Sequence, residues 1–396
     1  MKELYKRAIE RTAFYACAAW WFPPTVKMRN KANTIQRVAL LAMTKCYKTV
    51  PTSALQILAG LIPLDIKLDQ ESAIQRTKRG WSDFSFENLN FSSKKLSDFP
   101  EHKWYTHPAW IKTCEWNDRL PTNKNYEVFT DGSKNDEGTG VGFCVYWNGT
   151  LKSEYSYKLD QNCSVYQAET QAMKSALQWL KDHKYKAHLH TDSQAVLKSL
   201  AKFDILNSEI IKVKKLAFIT KVKLHWIRGH RGYRGNEKAD ELDKKGISST
   251  ERINCKIPLR SIVRKTKEQV LILWQRRWQE EETGRSTFKI LPKISERRHF
   301  NDFFVNQILS NHRAFPSYFN RFKIKNPPSR CPCGLDTADA LHMILDCPSL
   351  DSKRQELFPQ TLNFDLLCKL MLLEKGRIQL SKLMEYIYSN KNIIYV

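Results

Sequence analysis

Residues 126–247 carry the pattern that most restricts the fold of this chain: three short β-type runs, then helices that alternate with two further strands. The runs are rich in β-branched and aromatic residues and are separated by turns that contain glycine or asparagine. Hairpin-like strands followed by alternating helix and strand predict an α/β fold, a mixed sheet with helices on its faces. The predicted strands are 126–132, 141–147, 151–158, 187–191 and 222–227, and the predicted helices are 163–183, 193–203, 209–219 and 235–245.

The segments on either side of this pattern are predicted to be mainly α-helical, because apolar residues recur there every three or four positions. Residues 83–125 are rich in Ser, Asn, Lys and Trp with little periodicity, which indicates a linker. The predicted flanking helices are 31–47, 54–59, 259–282 and 364–387. We therefore predict four parts: a helical segment 1–82, the linker 83–125, an α/β domain 126–247 and a basic helical region 248–396.

The chain is strongly basic, with 65 Lys and Arg against 41 Asp and Glu and a formal net charge of +24. Hydrophobic residues make up 42% of its 396 residues, which is enough for packed cores and argues against a disordered chain. The charge favours a polyanionic partner, although composition alone does not choose between nucleic acid and an anionic membrane surface. The excess is +9 over residues 1–125, +5 over 126–247 and +10 over 248–396, so no single basic tail explains it.

The longest purely apolar run, residues 13–22, is too short to span a bilayer. It is also a poor signal peptide, because acidic residues precede it and the bulky Trp20 and Trp21 lie near its end. We therefore expect an intracellular protein, cytoplasmic or nuclear, that is neither secreted nor membrane-bound. In that setting its ten cysteines are better interpreted as reduced thiols or metal ligands than as disulfides.

Acidic residues occupy strand ends and helices in the α/β segment. Asp131 ends the first predicted strand and Asp192 the fourth, while Glu169 and Asp240 lie on helices. If those two strands are neighbours, Asp131 and Asp192 emerge side by side, where the helical acids can reach them. Converging carboxylates repel one another unless cations neutralise them, and hard oxygen ligands suit Mg²⁺ or Mn²⁺. Two such ions can stabilise the attacking and leaving oxygens of phosphodiester hydrolysis.

The motifs around these acids resemble those of type 1 ribonuclease H domains. The resemblance runs from residue 126 to about 246 and is carried by YEVFTDGS, YQAETQAMKSAL, HTDSQAVL and WIRGHRGYRGNEKADEL. It implies a five-stranded mixed sheet with helices on both faces, and cleavage of the RNA strand of RNA–DNA hybrids. It also implies two Mg²⁺ (or Mn²⁺) ions held by four acids: Asp131, Glu169, Asp192 and Asp240.

The same resemblance implies roles for five further residues. His230 matches the catalytic histidine, which assists proton transfer or product release. Gly132 and Ser133 would allow close approach of the scissile strand, and Ser164 and Gln194 would contact the hybrid. Ser164 can equally be interpreted as a helix cap. The basic helix at 209–219 is shorter than the basic protrusion of some bacterial members, so hybrid affinity is expected to depend on the flanking segments.

A Cys/His cluster lies in the C-terminal region, where Cys331, Cys333, His342 and Cys347 follow the spacing C-x-C-x8-H-x4-C. Three thiolates and one imidazole fit a tetrahedral Zn²⁺ site, and the turn at Gly334 lets the first two cysteines point at one ion. The spacing alone leaves open that these are ordinary packing thiols.

The order of these parts resembles the C-terminal end of the polyprotein of jockey-like non-LTR (LINE) retrotransposons. Residues 14–69 resemble the helical, thumb-like region after the reverse-transcriptase palm, and the cluster at 331–347 resembles the zinc-knuckle-like CCHC cluster of those polyproteins. The resemblance implies a structural Zn²⁺, a retrotransposon origin and the remainder of a polyprotein as a partner. Because the chain contains no Tyr/Phe-x-Asp-Asp motif, we expect no polymerase activity from it.

Two classes of function follow from these observations. The first is an endoribonuclease that acts on RNA–DNA hybrids by two-metal-ion hydrolysis. The second is a catalytically idle nucleic-acid-binding remnant that acts through its basic flanks and zinc cluster. The presence of all four acids together with His230 favours the enzyme, and the helical Glu169 argues against another nuclease or integrase of the same superfamily.

Overall fold

The computed structural model describes residues 1–96, 112–118, 126–203, 207–229, 231–298, 300–312, 315–323, 330–335 and 338–390. The chain divides into two compact units. One consists of Met1–Arg76, Ser85–Leu89 and Thr266–Val396, and the other of Thr77–Phe84 and Asn90–Lys265. Among the described residues, none of the helices combines the length and the apolar character that crossing a membrane requires.

The N-terminal part is helical, as predicted. The predicted helix 31–47 begins five residues earlier, at Val26, because the Thr25 side chain accepts a hydrogen bond from the Met28 backbone N–H and caps it. The next helix ends at Gly60, which is left-handed (φ +60°). The helices here are α1 (Lys2–Leu4), α2 (Glu10–Phe14), α3 (Cys17–Trp20), α4 (Val26–Thr44), α5 (Thr52–Ala59) and α6 (Leu64–Lys78), with a π-helical turn at Tyr5–Ile9.

The predicted linker contains three short strands, β1 (Phe84–Phe86), β2 (Leu89–Phe91) and β3 (Trp116–Asn117). The last of these joins the main sheet, which therefore has six described strands where five were predicted. The other five are β4 (Tyr126–Lys134), β5 (Thr139–Trp147), β6 (Thr150–Leu159), β7 (Ala187–Thr191) and β8 (Lys223–Trp226). Trp116 pairs with Leu224, so pairing with β8 forms the edge strand β3 where local periodicity gave no strand signal.

The sheet is mixed, with the strand order β3-β8-β7-β4-β5-β6. Strands β4, β5 and β6 form antiparallel neighbours, whereas β7 pairs in parallel with both β4 and β8. The described helices of this unit are α7 (Val165–His183), α8 (Gln194–Ala201), α9 (Ser208–Thr220) and α10 (Arg234–Ile247).

Helices cover both faces of this sheet, as the α/β prediction requires. Successive residues of β4 point to opposite faces, and Val128 packs in a core with residues of α7, α8 and α9. Its neighbour Phe129 packs on the other face with Ala239 and Leu242 of α10. The sheet is thus the middle layer of a three-layer unit, and both layers of helices can place side chains at its edges.

Helices also make up the described C-terminal part, but residues 364–387, predicted as one helix, form two. The chain is extended at Leu373 (φ −99°, ψ 138°), which separates the two helices. They pack closely, since a Cβ on Gly376 would lie 2.5 Å from the Leu370 carbonyl oxygen. The helices are α11 (Leu259–Glu280), α12 (Arg285–Ile290), α13 (Phe303–Ser310), α14 (Pro316–Arg321), α15 (Asp351–Leu357), α16 (Phe364–Leu372) and α17 (Glu374–Ser389).

Candidate active site and candidate metal centre

The first two predicted acids lie side by side on neighbouring parallel strands. Strand β4 pairs with β7 so that Thr130 is opposite Thr191. Asp131 and Asp192 each follow directly after this pair. The indole Nε1 of Trp226, on the following strand, donates a hydrogen bond to the Asp192 carbonyl oxygen at 3.1 Å. The backbone that presents both acids is therefore fixed by the sheet.

Glu169 reaches these acids because α7 packs very close to β4. The helix begins after its capping residue Ser164. A Cβ on Gly132 would lie 2.5 Å from the Glu169 backbone nitrogen, so a side chain at Gly132 would push the helix away. Carboxylate oxygens of Asp131, Glu169 and Asp192 all lie within 4.8 Å of one another. Three of the four predicted acids thus form one group.

Helix α10 places the fourth predicted acid, Asp240, on another side of Asp131. A second acid of this helix, Asp243, comes with it, because residues three apart share a helix face. Carboxylate oxygens of Asp131, Asp240 and Asp243 also lie within 4.8 Å of one another. Asp131 is therefore common to two acidic groups. Asp243 was not among the predicted site residues, and its helical spacing from Asp240 was the only sequence signal for it.

Two of these acids have a buried carboxylate oxygen without a hydrogen-bond partner among the described residues. Glu169 Oε2 and Asp243 Oδ2 are buried and accept no hydrogen bond from the described residues. Burial, reinforced by the charges of Asp131 and Asp192, raises the pKa of the Glu169 carboxyl well above its usual range. Burial and the charge of Asp131 raise the pKa of Asp243 to about 8. Oxygen donors in this number fit Mg²⁺ or Mn²⁺, whose charge would relieve the repulsion.

The predicted substrate contacts Gly132 and Ser133 follow Asp131 on β4. The Ser133 hydroxyl donates a hydrogen bond to Asp243 Oδ1 at 2.9 Å, so it is occupied by a neighbouring acid. Ser164 accepts a hydrogen bond from a backbone N–H of the first turn of α7, which matches the helix-cap interpretation left open by the sequence.

The remaining predicted contact, Gln194, is the first residue of α8, and its side-chain oxygen accepts a hydrogen bond from Lys198 Nζ at 3.1 Å. His230, the predicted catalytic histidine, lies outside the described residues. The residue before it, Gly229, lies against the acidic groups, since a Cβ on Gly229 would be 2.6 Å from Asp192 Oδ2. The chain therefore passes beside the site immediately before His230.

The four predicted zinc ligands come together in the C-terminal part. Their ligand atoms lie within 4.8 Å of one another. Cys331 Sγ is 3.6 Å from Cys347 Sγ, and Cys333 Sγ is 3.3 Å from His342 Nε2. Burial raises the pKa of the Cys331 thiol to about 12. Zn²⁺ fits this donor set, because it supplies the positive charge that buried thiolates require.

Local backbone features position these ligands. Gly334 adopts a left-handed conformation (φ +81°), and its N–H donates to the Cys331 carbonyl at 2.9 Å, which closes the turn around Cys333. Cys347 directly follows a π-helical turn, His342–Asp346, and its N–H donates to the His342 carbonyl at 2.9 Å. His342 and Cys347 are thus separated by a single wide helical turn.

An α/β unit with acids gathered at the ends of two neighbouring strands is typical of cation-dependent nucleases. A family model described as RNase H matches residues 123–248. The Ribonuclease H of Brucella anthropi is 32% identical over 142 residues, which cover 31% of this chain and 90% of that protein. The Ribonuclease H of Mesorhizobium japonicum is 31% identical over 144 residues, which cover 32% of this chain and 80% of that protein. The chain belongs to the ribonuclease H family.

A solved structure also aligns with part of the chain. The RNase H1 of the halophilic archaeon Halobacterium salinarum NRC-1 aligns with 31% of this chain and 97% of its own, at 22% identity and a TM-score of 0.26. The family assignment rests on the family model and the curated relatives.

Proposed function

We propose that this chain cleaves the RNA strand of RNA–DNA hybrids by hydrolysis that depends on Mg²⁺ or Mn²⁺. The observation that carries the proposal is the position of Asp131, whose carboxylate belongs to two groups of acids with oxygens within 4.8 Å. The cation ligands in this proposal are Asp131, Glu169, Asp192 and Asp240. Membership in the ribonuclease H family supports the same activity.

The acids of this chain have separate tasks in the proposed reaction. Asp131, Glu169 and Asp192 would hold one cation, and Asp131 and Asp240 would hold the other. When bound, the divalent cations stabilise the attacking and leaving oxygens of phosphodiester hydrolysis. Asp131 and Glu169 are buried and held by the contact of α7 with β4, so little reorganisation is needed when the scissile phosphate arrives.

His230 is proposed to move a proton during hydrolysis or product release. An imidazole changes its charge near neutral pH, which suits it to this task. The position of Gly229 beside Asp192 Oδ2 supports the proposal, since it places the preceding residue at the acids.

Recognition of the hybrid is proposed to involve Gly132, Ser133, Ser164 and Gln194. A hybrid-specific nuclease distinguishes 2′-hydroxyls on the strand that it cuts from deoxyribose on the other strand. The space beside the Gly132 α-carbon is filled by α7, so the proposed contact of Gly132 with the scissile strand is made by its backbone. Ser164 and Gln194 make hydrogen bonds within the protein. When these side chains bind nucleic acid, they would either keep those bonds and form new ones or replace them with bonds to the nucleic acid.

The flanking parts are proposed to bind nucleic acid and to derive from a retrotransposon polyprotein. Their excess charges of +9 and +10 support nucleic-acid binding. The clustered ligand atoms of Cys331, Cys333, His342 and Cys347 support one structural Zn²⁺. The boundaries 1–82, 83–125, 126–247 and 248–396, and the thumb-like nature of the first segment, remain part of this proposal.

The test is cleavage of a labelled RNA–DNA hybrid by the purified full chain with Mg²⁺. Single-stranded RNA, double-stranded RNA and duplex DNA of the same sequence are the comparison substrates, and EDTA removes the cation. We expect cleavage of the RNA strand of the hybrid alone, and none with EDTA. Cleavage of double-stranded RNA at a similar rate would contradict hybrid selectivity. Binding of the hybrid without cleavage would favour the idle nucleic-acid-binding remnant.

A further inference from the structure

Asp243 is an acid buried where a carboxylate is costly. Its relative exposure is 1%, and it lies on α10 three residues after Asp240. The helix is pressed onto the sheet at this point: a Cβ on Gly140 would lie 1.9 Å from the Asp243 carbonyl oxygen, and one on Gly142 would lie 2.4 Å from its nitrogen. The side chain therefore stays between helix and sheet, beside Asp131.

The two oxygens of Asp243 have different surroundings. Oδ1 accepts the hydrogen bond from the Ser133 hydroxyl at 2.9 Å. Oδ2 is buried and accepts no hydrogen bond from the part of the chain that the structure describes. The Lys244 ammonium is 2.6 Å from an Asp240 oxygen, so this neighbouring basic side chain pairs with the other acid of the helix. A buried carboxylate oxygen without a partner is costly, because it has lost its hydration and gained no hydrogen bond in return.

We propose that Asp243 is an additional ligand of the divalent cation held by Asp131 and Asp240, with Oδ2 as the donor atom and Ser133 as the residue that orients it. This inference rests on the proposed cation-dependent function and adds a fifth carboxylate to it. The oxygens of Asp131, Asp240 and Asp243 lie within 4.8 Å of one another, a spacing that one cation can span. The cation would provide the partner that Oδ2 lacks.

A third carboxylate should raise the affinity of this site for its cation. Each added carboxylate raises the affinity of an oxygen-ligand site for a divalent cation, because it adds charge and a donor. A site with three carboxylates should therefore bind its cation more tightly than the same site with two. Ser133 is then a positioning residue, because it holds Asp243 through Oδ1 without contacting the cation.

The test measures Mn²⁺ binding to the full chain without substrate, by electron paramagnetic resonance of free Mn²⁺ and by calorimetry. Asp243→Asn keeps the shape of the side chain and should weaken Mn²⁺ binding at one site about tenfold or more. Asp243→Ala provides a second test, because the smaller side chain fits the same space and removes a buried charge. Ser133→Ala should weaken binding by a smaller factor. Glu241→Gln, an exposed acid of the same helix, is the matched control and should leave binding unchanged.

Separate readouts distinguish this inference from the proposed function. Unchanged Mn²⁺ affinity and stoichiometry in folded Asp243→Asn or Asp243→Ala would overturn the ligand assignment, even if the wild-type chain cuts hybrids. Weakened Mn²⁺ binding in those variants, with no hybrid cleavage by the wild type, would support the ligand assignment and remove the proposed function. A wild-type chain that binds no Mn²⁺ would overturn the assignment whatever the cleavage assay shows.

Discussion

Asp131 belongs to both acidic groups, and the two residues that follow it in the sequence help to form the site. Gly132 lets α7 approach, and Ser133 donates a hydrogen bond to Asp243. Glu169 and Asp243 each keep one buried oxygen without a hydrogen-bond donor among the described residues. Acids in this setting lower the stability of the metal-free fold, and bound cations would offset that cost.

At the same scale, His230→Ala should slow hybrid cleavage by about 10- to 100-fold, because general acid–base catalysis contributes about 10²–10⁴ and water can partly replace the imidazole. Single-turnover cleavage of a hybrid, with Mg²⁺ in excess, measures the effect. His183→Ala, an exposed histidine at the end of α7, is the control and should keep the wild-type rate. An unchanged rate in His230→Ala would mean that His230 takes no part in catalysis.

The residues of the site were not equally predictable from the sequence. The four acids follow from their places at strand ends and on helices, and the parallel pairing of β4 with β7 brings the first two together as expected. Asp243 was missed because the acid-rich sequence ADELD is typical of a helix face that is exposed to solvent. Its burial depends on the close contact of α10 with Gly140 and Gly142, which no local pattern reveals.

At the scale of secondary structure, Glu209 links α9 to α7 through charged hydrogen bonds. Its carboxylate lies 2.7 Å from Lys174 Nζ and from Lys212 Nζ, and it accepts a bond from Gln171 Nε2 at 2.9 Å. Burial alone would raise the pKa of Glu209, but these hydrogen bonds prevail and lower it to about 2. The ionised carboxylate therefore stabilises the packing of the two helices.

Glu209→Gln should lower the free energy of unfolding by about 2 kcal/mol near pH 7. Because the pKa of Glu209 is lower in the folded chain than its usual 4.5, this stabilisation is complete above the usual pKa and is lost as the pH falls toward 2. Urea unfolding should thus show a smaller difference between wild type and variant at about pH 3.5 than at pH 7. Glu137→Gln, in an exposed turn, should show no difference. A difference that grows on acidification would contradict the role of Glu209.

A second prediction at this scale concerns the zinc content of the Cys/His cluster. Elemental analysis of protein purified under reducing conditions should find one Zn²⁺ per chain. Cys347→Ser should lose the zinc and several kcal/mol of stability, since structural zinc contributes directly to folding. Cys368→Ser, on α16 and outside the cluster, should keep it. If the wild-type protein contained no zinc, the four residues would have to be interpreted as ordinary packing side chains.

At the scale of the whole molecule, residues from both ends of the sequence build one compact unit. Within it, the buried Asp65 accepts hydrogen bonds from Arg277 at 2.9 and 3.0 Å, and Lys2 Nζ donates to the Glu296 carbonyl at 2.6 Å. Periodicity predicted the helices on both sides of the α/β segment, but it is a local property. It could not show that residues more than 200 positions apart in the sequence, such as Asp65 and Arg277, pack together.

The charge distribution predicts where affinity for nucleic acid arises. A fragment of residues 77–265 should still cut hybrids, because all the proposed catalytic acids and His230 lie within it. It should bind hybrids more weakly than the full chain and with a shallower dependence of log K on log salt, since fewer phosphates are neutralised. Equal salt slopes for the fragment and the full chain would mean that the flanking parts do not contact nucleic acid.

The most direct test of the proposed active site is the hybrid-cleavage rate of Asp131→Asn beside that of Asp136→Asn. Both substitutions remove one negative charge, but Asp131 belongs to both acidic groups, whereas Asp136 lies in the exposed turn after β4. With Mg²⁺ in excess, Asp131→Asn should fall below about one per cent of the wild-type rate, because both cation positions lose a ligand. It should keep its fold and its hybrid binding, and Asp136→Asn should match the wild type. An Asp131→Asn chain that cuts hybrids at more than a few per cent of the wild-type rate would contradict the proposed site.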